Sequence, residues 1–224
     1  SFLESEALKK KKKPVDLAEI YTARKIYLDK AINYVRMQGA LNWGDGGEPH
    51  DVINSYRRYG VLPQSAYTGL INGDTYNNFD EMQKDLKPYL EELVKMKKLP
   101  DNWKEVFEKK MDAYLGEVPK TFMYNGKIYD AHSFAKEYVG LEDEKYIEMI
   151  SVEDKPKYHN TLMAVPDNWS YDYAFNVNME DLIRTIDYAL KKGYTVGWEA
   201  DVSEKFFSWQ NGLAIVPEKD FESL

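Results

Sequence analysis

Residues 44–67 read GDGGEPHDVINSYRRYGVLPQSAY, and they divide into a glycine-rich loop, one short amphipathic helix and a stop. Gly46 and Gly47 carry no side chain over the backbone, so an extended peptide can come close and pair with its free N–H and C=O groups. The helix spans about Asp51 to Tyr59, with Gly60 to close it and Pro63 to turn the chain away. Loop and helix together have the chemistry of a peptide-binding cleft.

On the N-terminal side, residues 1–8 begin without an N-cap, Phe2 and Leu3 already lying among Glu4 and Glu6 in helix-favouring composition. A lysine turn over residues 9–13 precedes Pro14. Asp16 is the expected cap of a long helix carrying Tyr21, Arg24, Tyr27, Leu28, Ala31 and Val35 near one face, with Gly39 as its stop.

On the C-terminal side, Asp80 and Asp101 open two further helices. Pro88 predicts a break or kink in the first, while Trp103, Phe107, Met111 and Leu115 recur at helical spacing in the second. This charged pair, about residues 80–115, has the character of a helical insertion on the outside of a domain. Near Pro119 the period changes from helix to strand. Residues 121–129 alternate around Asn125-Gly126, a two-residue hairpin signal. Asn178 is the expected cap of a helix with Met179, Leu182, Ile183, Ile186 and Leu190 on one face. Residues 194–202 alternate as a strand, placing Glu199 and Asp201 on its polar side, and Asn211-Gly212 makes a second hairpin turn. The layout is α+β, helices dominating up to about residue 118 and strands thereafter.

Composition bounds the function classes. The 224 residues are 43% hydrophobic, with a mean hydropathy of -0.63, enough for one substantial core. No apolar run approaches the ~18 residues of a membrane span, and the first residues read as helix interior rather than as a signal peptide. Thirty-eight acidic against 30 basic residues give a net charge of -8, which opposes attraction to nucleic acid over the surface as a whole. The lysine run at 9–13 is the local exception and reads as a solvated turn. Zero cysteines exclude disulfides, thiolate metal sites and a cysteine nucleophile within these residues. The three histidines are His50, His132 and His159. His50, at a helix start, reads as a capping and packing residue, and the other two lie in polar context. No spacing matches a metal site or a phosphate cradle.

A series of phrases, in order and at characteristic spacing, carries a resemblance: Phe2-Leu3-Glu4-Ser5-Glu6, Asp16-Leu17-Ala18-Glu19, Asp29-Lys30-Ala31, Tyr34-Val35-Arg36, Gly46-Gly47, Tyr59-Gly60-Val61-Leu62-Pro63, Gly193-Tyr194-Thr195-Val196 and Asp201-Val202. Together they resemble the bleomycin hydrolase/aminopeptidase C branch of the papain-like cysteine peptidases, with Ala18 where that family usually has serine. The resemblance implies a papain-like α+β fold. Residues 1–118 would form the helical domain with its insertion, and residues 119–224 the start of an antiparallel sheet or barrel domain. It implies a cysteine nucleophile a few residues before Phe2, and a histidine and an asparagine beyond Leu224. The chain would then be the middle of an enzyme, inactive alone. In the complete enzyme a helix N-terminus and a neighbouring imidazolium would hold the thiolate, which would attack short peptides from their amino end.

The resemblance further implies substrate backbone contacts at Gly46 and Gly47, a side-chain pocket lined by Pro49, and a cleft border at Asp201. No metal or organic cofactor is implied, and the family's usual assembly is a homohexamer. Cytoplasmic and exported relatives both exist. Two other readings stay open: a non-catalytic peptide-binding relative, and a carbohydrate-binding or surface-assembly protein suggested by 18 tyrosines and five tryptophans.

Overall fold

The periodicity of residues 19–36 places Tyr21, Arg24, Leu28, Ala31 and Val35 on one side of a helix, and this helix is the spine of the molecule. The computed structural model describes residues 2–11, 14–71, 73–141, 146–199, 202–203 and 206–215. Helix α1 (Phe2–Lys11) precedes the spine α2 (Glu19–Arg36), and α3 (Pro49–Tyr59) packs against it. Helices α4 (Phe79–Lys95) and α5 (Trp103–Leu115) form an antiparallel pair that also meets α2. One hydrophobic cluster runs from Leu3 in α1 through all these helices to Leu141.

The helix ends differ in detail from the sequence expectations. The N-cap of α2 is Ala18, not Asp16: the Ala18 N–H donates to Leu62 O at 2.9 Å, and Asp16 O accepts from Gln64 N at 2.8 Å. The segment before α2 is thus spent pairing with the residues after α3. Helix α3 starts at Pro49, two residues earlier than Asp51, because proline suits a position whose N–H would have no partner. Gly60 ends α3 with φ +70, and a Cβ there would fall on the backbone of Ala131, whose oxygen accepts from Val61 N at 3.2 Å. Asn78 rather than Asp80 caps α4, its side chain accepting from Glu81 N at 3.1 Å, and Asn102 rather than Asp101 precedes α5. Pro88 does not break α4. It lies on the exposed side, where the carbonyl it leaves without an intrahelical partner can face water.

The charged residues of the α4–α5 pair point outward while its inner faces are integral to the core. Met82, Leu86, Phe107 and Met111 are fully buried. Arg24, from the spine, donates to Asp112 Oδ1 at 2.5 Å, Gly116 O at 2.8 Å and Glu108 O at 3.1 Å. A cation thereby meets the C-cap carbonyl of α5, at Gly116.

Beyond the helices, β1 (Phe122–Tyr124) and β2 (Lys127–Tyr129) form the expected hairpin, with positive φ at Asn125 and Gly126. A short helix, α6 (Ala131–Ser133), runs into a π-helical turn over Phe134–Val139 that buries Phe134 and Val139. Strands β3 (Met149–Ile150), β4 (His159–Leu162) and β5 (Tyr173–Asn176) make a sheet in the order β3-β5-β4. The expected sheet was antiparallel. The β4–β5 pair is, but β3 runs parallel to β5. Asn176, fully buried, stitches the sheet to the loop after β3, its Nδ2 donating to Val152 O at 3.1 Å and its Oδ1 accepting from Val152 N at 2.9 Å.

Helix α7 (Met179–Lys191) follows β5 with Asn178 at its N-cap position as expected, but the Asn178 side chain makes no capping hydrogen bond; its Nδ2 donates to Tyr158 OH at 2.8 Å. No residue of α7 is buried: Met179, Ile183 and Leu190 on its apolar side are all more than half exposed. Of the strand expected over residues 194–202, the described residues 194–199 and 202 belong to no strand, and residues 200 and 201, Asp201 among them, lie outside the described residues. The last hairpin, β6 (Phe207–Ser208) with β7 (Leu213–Ala214), is joined by four residues including Asn211 and Gly212, rather than by those two alone.

Candidate functional site

The glycine loop is held from below by a lysine of the spine. Lys30 sits on the same side of α2 as Tyr27 and Tyr34 and is only 1% exposed. Its ammonium donates to Gly44 O at 2.9 Å and Gly46 O at 2.6 Å. Burial pushes the Lys30 pKa down, against the opposing charges of Asp167, Asp51 and Asp45. Two loop carbonyls are thereby turned inward, toward α2. Asp45 fastens the outer side of the same turn, accepting from Tyr27 OH and Gln83 Nε2.

Neither Gly46 nor Gly47 has a positive φ, so a left-handed backbone does not explain their identity. Close approach does. A Cβ on Gly46 would fall on the Asp167 carboxylate, and one on Gly47 would lie 2.9 Å from Asp51 Oδ2. The two glycines thus admit acidic side chains of this same chain beside the loop. Pro49 is half-buried at the first position of α3.

Asp51 is the junction between the loop and the strand region. It is 4% exposed, and its Oδ2 accepts from Glu48 N at 3.0 Å and from the Trp169 indole at 2.7 Å. Burial raises its pKa, against the lowering effect of the Glu48 N–H, His50, Trp169 and Lys30. Glu48, the residue before α3, is buried and shares a hydrogen bond with Glu199. Burial, then the Glu199 and Glu148 charges, push the Glu48 carboxyl up to about 7. Glu199 is also raised by burial, while the proton donated from Glu48 favours its ionised form.

The sequence placed His50 as a packing residue at a helix start. The structure gives it two side-chain partners from distant segments. Its Nδ1 lies 2.5 Å from Glu148 Oε2, just before β3, and its Nε2 lies 2.8 Å from Ser170 Oγ, just before β5. Its side chain is 11% exposed and that of Glu148 12%. Burial alone would lower the imidazole pKa; the hydrogen bond and charge of Glu148, with the charges of Asp51 and Asp172, override it, and the net shift is upward. Ser170 also lines a cavity of about 370 Å³ bordered by Ile32, Asn33, Arg36, Asn54, Trp169 and Asp172.

The glycine pair and Pro49 are therefore neighbours in space as in sequence. Glu199 reaches them through Glu48, while the Asp201 assignment lies outside the described residues. His132 and His159 lie away from this cluster, His132 beside the Asp130 turn and His159 on β4 with its Nδ1 on Lys157 O at 2.9 Å. Sequence reasoning missed Lys30, Glu148, Asp167, Trp169 and Ser170. A lysine within the apolar face of α2 was a legible signal. Glu148 and Ser170 gave none, being 98 and 120 residues from their partner. No group of three or more metal-binding side chains occurs among the described residues. No helix among them is long and apolar enough to cross a membrane.

No family model matches the chain, and no curated protein matches it. Among solved structures, the chain resembles the crystal structure of PepW from Lactobacillus rhamnosis HN001, with a TM-score of 0.63 and 18% identity over 86% of this chain. The match takes in 53% of the PepW chain, so the present chain spans about half the length of that protein. At this identity the likeness is one of fold: a mixed α/β architecture of the PepW kind.

Proposed function

We propose that the chain is the middle portion of a cysteine aminopeptidase of the bleomycin hydrolase kind, with the glycine loop at its peptide-binding cleft. The observation that carries this reading is the agreement in fold with PepW over most of the chain, together with the ordered phrases from Phe2 to Val202. Residues 1–118 are then the helical part of a papain-like fold, and residues 119–224 the beginning of its sheet part. With no cysteine in the chain, the thiolate comes from residues beyond these 224, as do the histidine and asparagine that serve it.

In this reading an extended peptide lies along Gly46 and Gly47, with Pro49 lining a side-chain pocket and Asp201 at the border. Short peptides are trimmed from the amino end, and the assembly is a homohexamer. A lysine-anchored loop supports this role, because a backbone that recognises another backbone must be held in place before the ligand arrives.

Aminoacyl fluorogenic amides test the reading, assayed with the 224 residues alone and with a longer natural polypeptide containing them. The expected result is no amide turnover by the shorter chain, and turnover by the longer one that iodoacetamide abolishes. Amide turnover insensitive to thiol alkylation would overturn the assignment. A non-catalytic relative would bind peptides at the same loop yet show no turnover at either length.

A further inference from the structure

We propose that Ser170, His50 and Glu148 form an acyl-transfer site, with Ser170 as nucleophile toward small carboxylic esters. It is independent of the glycine loop and of any cysteine. The argument begins with proton placement. With the imidazole proton on Nδ1, where Glu148 Oε2 at 2.5 Å accepts it, Nε2 of neutral His50 offers its lone pair to Ser170 Oγ, 2.8 Å away; Asn168 Oδ1 is a second, longer acceptor for the same hydroxyl at 3.3 Å, and Asp51 Oδ1 lies 3.6 Å from Nε2. A hydroxyl, an imidazole and a carboxylate in this order are what a serine needs to lose its proton as it attacks. Burial of His50 and Glu148 to nearly nine-tenths limits competition from water for either contact.

The hydroxyl also has somewhere to act, because Ser170 lines the 370 Å³ cavity. Asn33 Nδ2 donates to Trp169 O at 3.4 Å and Asn54 Nδ2 to Asp172 Oδ2 at 3.0 Å, while Asn54 Oδ1 accepts from Arg57 at 3.2 Å. Each amide has a second N–H, and Arg36 adds a guanidinium to the same wall. These are the donors available to an oxyanion.

The chemistry balances without a further reagent. Ser170 Oγ bonds to the ester carbonyl carbon as its proton passes to His50 Nε2. The bond from that carbon to the leaving oxygen breaks as Nε2 returns the proton to the departing alcohol. Water then attacks the acyl-serine, giving a proton to Nε2, and the carboxylic acid leaves as that proton restores the hydroxyl. Ser170 and His50 touch the reacting atoms; Glu148 is a positioning residue.

The test treats the 224-residue chain with a fluorophosphonate and locates the adduct by intact mass and peptide mapping, with p-nitrophenyl acetate hydrolysis measured in parallel. One adduct is expected, on Ser170, absent in Ser170→Ala. Its rate should fall about 10²-fold or more in His50→Gln. The rate should rise with pH as His50 deprotonates. The groups facing the imidazole are Glu148, Asp51, Glu48 and Asp172, with the Ser170 hydroxyl at Nε2. In Glu148→Gln the rising limb should move to lower pH, since the main charge holding the proton is gone, and the plateau should fall. A purely structural tie would change melting temperature without moving that limb. Absence of a Ser170 adduct in a chain shown to be folded by near-UV circular dichroism would overturn the proposal, as would equal labelling of folded His50→Gln.

Discussion

The Trp169 indole donates to Asp51 Oδ2 at 2.7 Å, joining the start of α3 to the segment before β5 across 118 residues of chain. The same carboxylate oxygen receives Glu48 N and faces the Cα of Gly47. One atom thus fixes the relation between the glycine loop, the helix and the strand region. Trp169→Phe keeps an aromatic ring but leaves a buried carboxylate short of a donor. It should cost about 1–3 kcal/mol of folding stability in urea titrations, and couple to Asp51→Asn by roughly 0.5–3 kcal/mol in a double-mutant cycle. Strict additivity of the two substitutions would show that the bond does not join these regions.

The acidic residues around α3 make stability depend on pH in an unusual direction. Glu48, raised from 4.5 to about 7, holds a proton in the folded state that it lacks when unfolded between those values. Its contribution is complete below the unfolded value and is lost as pH rises through about 7. His50, also raised, has the same sign, since its folded form keeps a proton above the unfolded pKa. The raised carboxyls of Asp51 and Glu199 add to the trend. Unfolding free energy should therefore fall between pH 5 and pH 8, with Glu48 contributing on the order of 1–3 kcal/mol. Glu48→Gln, which mimics the protonated side chain, should flatten the curve and gain stability at pH 8. A wild-type curve that rises across this interval would show that the Glu48–Glu199 pair is not closed in solution.

Gly46 owes its identity to Asp167. A Cβ at position 46 would fall on that carboxylate, so Gly46→Ala forces either the loop or Asp167 to move. The single variant should lose about 1–3 kcal/mol. Asp167→Ala, by removing the obstructing group, should restore most of the loss when combined with it, giving a favourable coupling. If the double variant is no better than the single one, the restriction at Gly46 comes from the backbone and not from the acid beside it.

What could be read from sequence was what local chemistry decides. The glycine loop, α3, Gly60 as its stop and the Asn125-Gly126 hairpin depend on residues within a few positions of one another. Strand pairing depends on partners far away, so the alternation of residues 194–199 was visible while their lack of a partner strand among the described residues was not. The apolar side of α7 was likewise legible from spacing, but its burial depends on what packs there, and Ile183 stays 54% exposed. A proline at position 88 predicts a break or kink, yet α4 stays continuous through it, the proline lying on the exposed side of the helix. The site suffered most from this limit. His50 had no local sign of Glu148 or Ser170, and its role as a hub exists only once the segments before β3 and β5 have been brought to the start of α3.

Lys30 gives the sharpest test of the loop itself. Its ammonium reaches Gly44 O and Gly46 O from a position 1% exposed, with Asp167, Asp51 and Asp45 as its surrounding charges. Lys30→Met keeps much of the side-chain length and removes the charge. Two inward-facing carbonyls then lose a donor, at about 1.5–3 kcal/mol for each bond to a charged group. Part of that loss is offset because a buried cation no longer has to be desolvated. The balance should be a net destabilisation of about 1–3 kcal/mol, well below the sum of the two bonds. The local readout is more decisive than the global one. Amide hydrogen exchange should accelerate over residues 44–48 while the inner faces of α4 and α5 keep their protection. Exchange that accelerates evenly through α2, α4 and α5 would make Lys30 a general core residue. Exchange left unchanged over residues 44–48 would remove it as the anchor of the loop.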